Sequence, residues 1–195
     1  KTKIIDEFRI EVGEEFLSAL NSAIPVDAQC LKVRYKPIKV SRFTLNEKLY
    51  KGRVTMRYRG YCDTHWYSKQ KSIKLEFLDE KLNGYNTLNL NAMASDPMLF
   101  DYMYGELLNK TGGVSSRIKL VRLFINGKDN GIRQLVQNLD EDLLASINLE
   151  TGSIYRERTH AKVGDHRPVY ILKTLWKRNS KNYSRKWHDF KLFHD

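Results

Sequence analysis

Two short runs of strict alternation restrict this chain more than any other feature. In 53–59, Val54, Met56 and Tyr58 fall on one side, and Arg53, Thr55, Arg57 and Arg59 on the other. In 72–77, Ile73, Leu75 and Phe77 alternate with Ser72, Lys74 and Glu76. A period of two sends successive side chains to opposite faces of a strand, so each run predicts a strand with one apolar and one polar face. Gly60 stops the first strand. The pair reads as antiparallel neighbours around a loop at 61–68.

The rest of the chain fits around such a sheet. Asn126-Gly127, between apolar runs at 117–125 and 131–137, predicts a tight hairpin over 117–137, with the first arm apolar on both faces as in a central strand. A strand at Phe8–Val12 precedes a short helix in 13–24, with Phe16, Leu17, Leu20 and Ile24 at helical spacing and Pro25 ending it. LKVRYKPIKV (31–40) is strand-like but interrupted by Pro37, which predicts an edge strand or a bend. Asp96-Pro97 predicts a helix start, with Leu99, Met103 and Leu107 as its buried stripe and Gly112-Gly113 as its end. A further helix is expected from Asp140 to before Gly152, then a strand at 153–156. The expected class is α+β, a mixed, mainly antiparallel sheet with flanking helices.

A chain of 195 residues can bury a substantial core, and 11 Gly, 4 Pro and no internal repeat exclude collagen-like, low-complexity and solenoid architectures. No apolar run reaches the roughly 18 residues a membrane-spanning helix requires. The chain opens on Lys1 with no leader pattern, which predicts a processed or truncated chain. Cys30 and Cys62 read as free, half-buried thiols that only the fold could bridge. The five histidines (His65, His160, His166, His188 and His194) lack zinc-site spacing, so no metal site is expected on this ground.

The net charge is +11, and +8 of it lies between Arg156 and Lys186, interleaved with Tyr170, Trp176 and Tyr183 and flanked by Tyr155 and Trp187. Such a composition suits phosphates and bases, an acidic partner protein, or simply a solvated basic face. Arg57, Arg59 and Lys74 on polar strand faces, with Lys69 and Lys71 at the mouth, form a second basic cluster beside Gly60, suited to a polyphosphate. Basic residues on an exposed sheet face are also ordinary.

In order along the chain stand RYRG (57–60), SKQKSIKLEF (68–77), LNLNAMASDP (88–97), INGKDNG (125–131), LVQNLD (135–140) and GSIYR (152–156). Over about residues 8–156 this ordered set resembles the spore-coat CotH kinase family. The resemblance implies an atypical protein kinase fold that binds ATP with Mg2+ or Mn2+ and phosphorylates Ser or Thr on secreted or coat proteins, at an extracellular, spore or cell surface. Residues 1–156 would be the nucleotide-side α+β portion, and 157–195 a basic segment leading into a further C-terminal portion.

Carried over by residue, the resemblance implies nucleotide binding by Arg57, Arg59, Gly60, Lys71, Ser72, Lys74 and Gln137, with Lys71 or Lys74 nearest the phosphates. Asp96 matches the family Asp; its other role is the helix cap. Three departures stand out. Gln137 occupies a usual Glu position, Phe100 a usual Arg position, and no metal-binding Asp segment can be matched up to Asp195. Asp165, Asp189 and Asp195 have no matching context. Two other readings follow from these departures and from the charge: a non-catalytic scaffold or surface-binding protein of the same fold, and a basic nucleic-acid-binding domain resting on 156–187.

Without two metal-holding carboxylates the nucleotide phosphates keep their charge. These 195 residues alone are therefore expected to transfer no phosphate. Labelled phosphate reaching a protein acceptor, and lost in Lys71→Ala, would contradict this.

Overall fold

The computed structural model describes residues 5–24, 36–60, 70–93, 97–113, 115–138, 140–148, 155–157 and 176–178. The backbone divides into two compact units, Lys1–Asn138 and Leu139–Asp195. The first is α+β, as expected. Its strands are β1 (Asp6–Glu11), β2 (Ile38–Val40), β3 (Arg42–Leu45), β4 (Lys48–Leu49), β5 (Val54–Tyr58), β6 (Ile73–Phe77), β7 (Thr87–Ala92), β8 (Ile118–Ile125) and β9 (Lys128–Gln137), with helices α1 (Glu14–Ser22) and α2 (Pro97–Lys110). The strands form one sheet in the order β2-β5-β6-β7-β9-β8-β1-β3-β4. All pairings are antiparallel except β1 with β8, which is parallel.

The two alternating runs become β5 and β6, antiparallel neighbours in the register Tyr58↔Ile73, Arg57↔Lys74 and Met56↔Leu75. Val54, Met56, Tyr58, Ile73, Leu75 and Phe77 are all buried on one face. That face carries the core, continued by Leu88 and Leu90 of β7, Val121, Leu123 and Ile125 of β8, and Phe8 and Ile10 of β1, with Leu20 of α1 packed into it. Tyr58 anchors α1 through its hydroxyl, which donates to Asn21 Oδ1 at 2.7 Å.

The sheet curls. Phe43 of β3 and Phe77 of β6 are five places apart in strand order, yet their rings meet edge to face at 5.4 Å, flanked by Phe8 at 5.5 Å from Phe43 and Tyr50 at 5.2 Å from Phe77. Such T-shaped contacts add to the burial of large apolar area. They close the curl across the core.

The 117–137 hairpin forms as β8 and β9, and Asn126 and Gly127 both adopt positive φ (49° and 74°), the geometry a two-residue turn of matching twist requires. Asn126 does a second task. Its side chain accepts from the Val12 N–H at 2.9 Å and donates to the Val12 carbonyl at 3.0 Å, fixing the end of β1 beside the turn. Pro37 stands just ahead of β2, which is an edge strand. The parallel β1–β8 pairing, the β3–β4 hairpin and strand β7 were not anticipated.

Three expectations require correction. Leu99, Met103 and Leu107 do not form a buried stripe in α2; they are 46%, 57% and 61% exposed, alongside Phe100 and Tyr104. The helix instead turns Gly105 inward, where the Ser115 hydroxyl donates to the Gly105 carbonyl at 3.1 Å and Ile118 lies close to the missing side chain. A glycine permits that approach without any apolar signal in the sequence. In α1, Phe16 is 47% exposed, so its inward stripe is Leu17, Leu20 and Ile24. The 117–125 arm is central in the sheet but fully buried on one face only, with Lys119 and Arg122 exposed.

In the second unit, α3 (Glu141–Ser146) starts where expected, the Asp140 carboxylate accepting from the Asp142 N–H at 3.2 Å, but it ends at Ser146. Asn148 at φ 57° supplies the left-handed residue that terminates helices. Strands β10 (Tyr155–Glu157) and β11 (Trp176–Arg178) pair antiparallel. Asp96, the five histidines, Lys69, Asp165, Asp189, Asp195 and both cysteines lie outside the described residues.

Leu75 is fully buried at the centre of the β5–β6–β7 layer. Leu75→Ala removes apolar contacts and leaves a cavity, and is expected to cost about 2–5 kcal/mol, read as a lower urea midpoint with unchanged slope.

Candidate functional site

The cluster at the ends of β5 and β6 is divided by strand alternation between the two faces of the sheet. Arg57 and Lys74 are cross-strand neighbours on the polar face. Two cations directly opposite repel. The repulsion is relieved by Glu76, whose carboxylate lies 2.6 Å from Lys74 Nζ. The Arg57 guanidinium donates to the Tyr58 carbonyl at 3.2 Å.

One step further along the same face, the Arg59 N–H donates to the Ser72 carbonyl at 2.9 Å, and its guanidinium donates to Asn91 Oδ1 of β7. Ser72 is fully buried, and its hydroxyl oxygen accepts from the Ala92 N–H at 3.0 Å. This seryl group therefore ties β6 to β7. Asn89 of β7 and Gln134 of β9 continue a buried polar row on this face. Gly60 has φ 99°, a conformation side-chain-bearing residues avoid, which accounts for glycine at the end of RYRG.

Lys71 lies on the alternate step, toward the core-bearing face. It is half-buried, and that burial lowers its pKa from the ordinary lysine value. Gln137 also lies on the core face, beside Leu88, and is only 4% exposed. The structure thus groups Arg57, Arg59, Ser72 and Lys74 on one face beside Gly60, and places Lys71 and Gln137 on the other. Gln137 is not brought up against Lys74. Among the described residues no three His, Cys, Asp or Glu side chains come close enough to hold a metal ion.

Among the described residues neither side-chain polar atom of Gln137 has a hydrogen-bond partner. A buried amide without partners retains its desolvation cost.

Sequence reasoning missed Arg133, Gln70 and Asn91. Arg133 is fully buried on the core face in β9, its Nη1 donating to Gln70 Oε1 at 3.3 Å and its Nη2 to Asn130 Oδ1 at 3.0 Å. Burial lowers its pKa to about 10, and Tyr58 offsets part of that. The available signal was the charged residue at 133 in phase with Leu135. It was obscured because Ile132 and Val136 make the other phase apolar too.

Gln137→Leu removes the unpartnered amide while keeping its volume, and is expected to raise stability by about 1–3 kcal/mol. Gln137→Glu, which places a charge in the same environment, is expected to lower it. Thermal melts of the two variants in opposite directions would check this; a lower melting temperature for Gln137→Leu would contradict it.

No curated protein matches the chain. The sequence profile described as CotH kinase protein matches residues 56–193. The match begins inside β5 and takes in β6–β9, α2 and nearly all of the second unit, including the basic segment after Arg156, and leaves β1–β4 and α1 outside it. Matched over more than half its length, the chain belongs to the CotH kinase family.

Proposed function

We propose that the chain binds ATP with Mg2+ or Mn2+ and forms the nucleotide-side part of a kinase that phosphorylates Ser or Thr on secreted or coat proteins, at an extracellular or surface location. The observation that carries this reading is the family match over 56–193, which includes both basic strands. Bound ATP would supply the transferred phosphoryl group and the metal would neutralise its charge. In this reading the chain's own residues position and screen. Phosphoryl transfer is catalysed mainly by fixed charge and orientation, and cations on paired strands are held more rigidly than cations on loops.

Of the two lysines, Lys71 is the better phosphate contact. Lys71 stands opposite Gly60 in the carried β5–β6 register and is partly desolvated, which strengthens its attraction for an anion. Gly60 would let the backbone approach the ligand closely. Among the described residues no group of carboxylates fits the metal.

Gln137 supports a second reading, a non-catalytic scaffold of the same family. An uncharged, buried amide stands where the family usually has Glu, and it cannot form a charged pair with Lys71.

Thermal-shift titration with ATP, with and without Mg2+ or Mn2+, separates these readings. At ATP about 100-fold above Kd the melting temperature should rise by about 5–10 °C, and Lys71→Ala should abolish the rise. No shift at saturating nucleotide would favour the scaffold. Binding confined to nucleic acid, with a steep loss between about 50 and 200 mM salt, would instead assign the basic segment its own role.

A further inference from the structure

The chain contains Asn-Gly three times, at Asn83-Gly84, Asn126-Gly127 and Asn130-Gly131. This dipeptide carries a latent reaction. The glycine backbone nitrogen can attack the side-chain carbon Cγ of the asparagine, because a residue without Cβ lets the two groups approach closely. The chemistry is the same at all three sites, and the fold holds each of them differently.

Asn126 is held from every side. Its carbonyl oxygen accepts from the Val12 N–H at 2.9 Å, and its amide nitrogen donates to the Val12 carbonyl at 3.0 Å and to Glu14 Oε1 at 2.9 Å. Turning Cγ toward Gly127 would break these bonds, in a turn already clamped between the paired arms β8 and β9. At the third site Asn130 Oδ1 accepts from Arg133 Nη2 at 3.0 Å. There the attacking group is engaged as well, since the Gly131 N–H donates to Asp129 Oδ1 at 2.8 Å. An N–H bound to a carboxylate is held by the stronger, charge-assisted kind of bond and keeps its proton.

Asn83 and Gly84 have neither restraint. Both are exposed, in a two-residue turn at φ 50° and 89°. The turn is closed by the Leu82 N–H donating to the Tyr85 carbonyl and the Tyr85 N–H to the Leu82 carbonyl, each at 3.0 Å, which engages neither the Asn83 side chain nor the Gly84 N–H. Among the described residues no hydrogen bond holds the Asn83 amide. Nothing lies within 4 Å of the place a Gly84 side chain would take. The Leu82–Tyr85 bridge stands outside the ladders of the nine-stranded sheet, so it opens locally at small cost.

We infer that Asn83 is a site of spontaneous chemical modification by water in the folded protein. The Gly84 nitrogen gives its proton to solvent base and forms a bond to Asn83 Cγ; the Cγ–Nδ2 bond breaks, and the side-chain nitrogen leaves as ammonia from a cyclic imide. Water then adds to one of the two imide carbonyls. Opening at one carbonyl gives an aspartyl residue, and opening at the other an isoaspartyl residue whose main chain runs through Cβ and Cγ. One water is consumed and one ammonia released, with no oxidant or reductant. Either product puts a carboxylate where a neutral amide stood. The isoaspartyl form also lengthens the main chain by one carbon inside a two-residue turn, so the Leu82 and Tyr85 bonds cannot both keep their geometry. Leu82 and Tyr85 pack against the core, so the change reaches the β6–β7 connection. None of this rests on the kinase reading.

The test is incubation of the full 195-residue protein in mildly alkaline water enriched in oxygen-18, folded and in denaturing urea, with the label mapped by mass spectrometry of proteolytic peptides. In urea the three asparagines should react at similar rates. In the folded protein Asn83 should take up label at least about tenfold faster than Asn126 or Asn130, which react only after their bonds open. In the modified protein, amide hydrogen exchange at Leu82 and Tyr85 should be at least about tenfold faster than before incubation. Labelling of folded Asn126 or Asn130 at the rate of Asn83 overturns the inference, and so does an Asn83 that reacts only in urea. Unchanged exchange at Leu82 and Tyr85 overturns the stated effect on the turn.

Discussion

The β8–β9 hairpin holds the sheet together, because β9 pairs with β7 on one side and β8 with β1 on the other. Remove that hairpin and the other seven strands fall into β2-β5-β6-β7 and β1-β3-β4, neither able to cover its apolar face alone. The turn is made by two residues at positive φ, and the same Asn126 side chain that suits the turn also bonds the end of β1. Once both halves are joined, the curl brings Phe43 against Phe77, and the aromatic contacts close the core from the other direction. Local turn chemistry and long-range packing thus point to one arrangement, which is the consistency expected of a sequence that specifies a single fold.

The candidate site follows from the pleat of this sheet. Residues adjacent in sequence, such as Lys71 and Ser72, are sent toward opposite faces, whereas Lys71 and Arg133, far apart in sequence, lie on one row. The polar face is largely spent on itself: Arg59 on Asn91, Lys74 on Glu76, Ser72 on the Ala92 amide. Among the described residues the buried side-chain atoms without a hydrogen-bond partner, Arg133 Nε and the Gln137 amide, lie on the other face.

Much of the fold could be read from period and punctuation. Alternation in 53–59 and 73–77 identified the paired strands and their buried sides, and Asn126-Gly127 identified the hairpin, because strand period and turn geometry are local properties of the chain. Helix α2 was misread for the opposite reason. Its contact with β8 runs through Gly105, and hydropathy cannot register a surface defined by a missing side chain. Family membership was legible as an ordered set of loose motifs, each weak alone. The division of the basic cluster between two faces, and the place of Arg133 in it, depend on registers among β5, β6, β7 and β9 that no local pattern encodes.

The bond between Val12 and Asn126 spans 114 positions of the chain. At ordinary translation rates of about 5–20 residues per second, β1 and α1 emerge from the ribosome on the order of ten seconds before their partner strand exists. Through that interval Phe8, Ile10 and Leu20 have no β8 to cover them. In that interval β1 can pair with β3 along one edge only, and nascent-chain chaperones would meet its other edge and its apolar side chains still open.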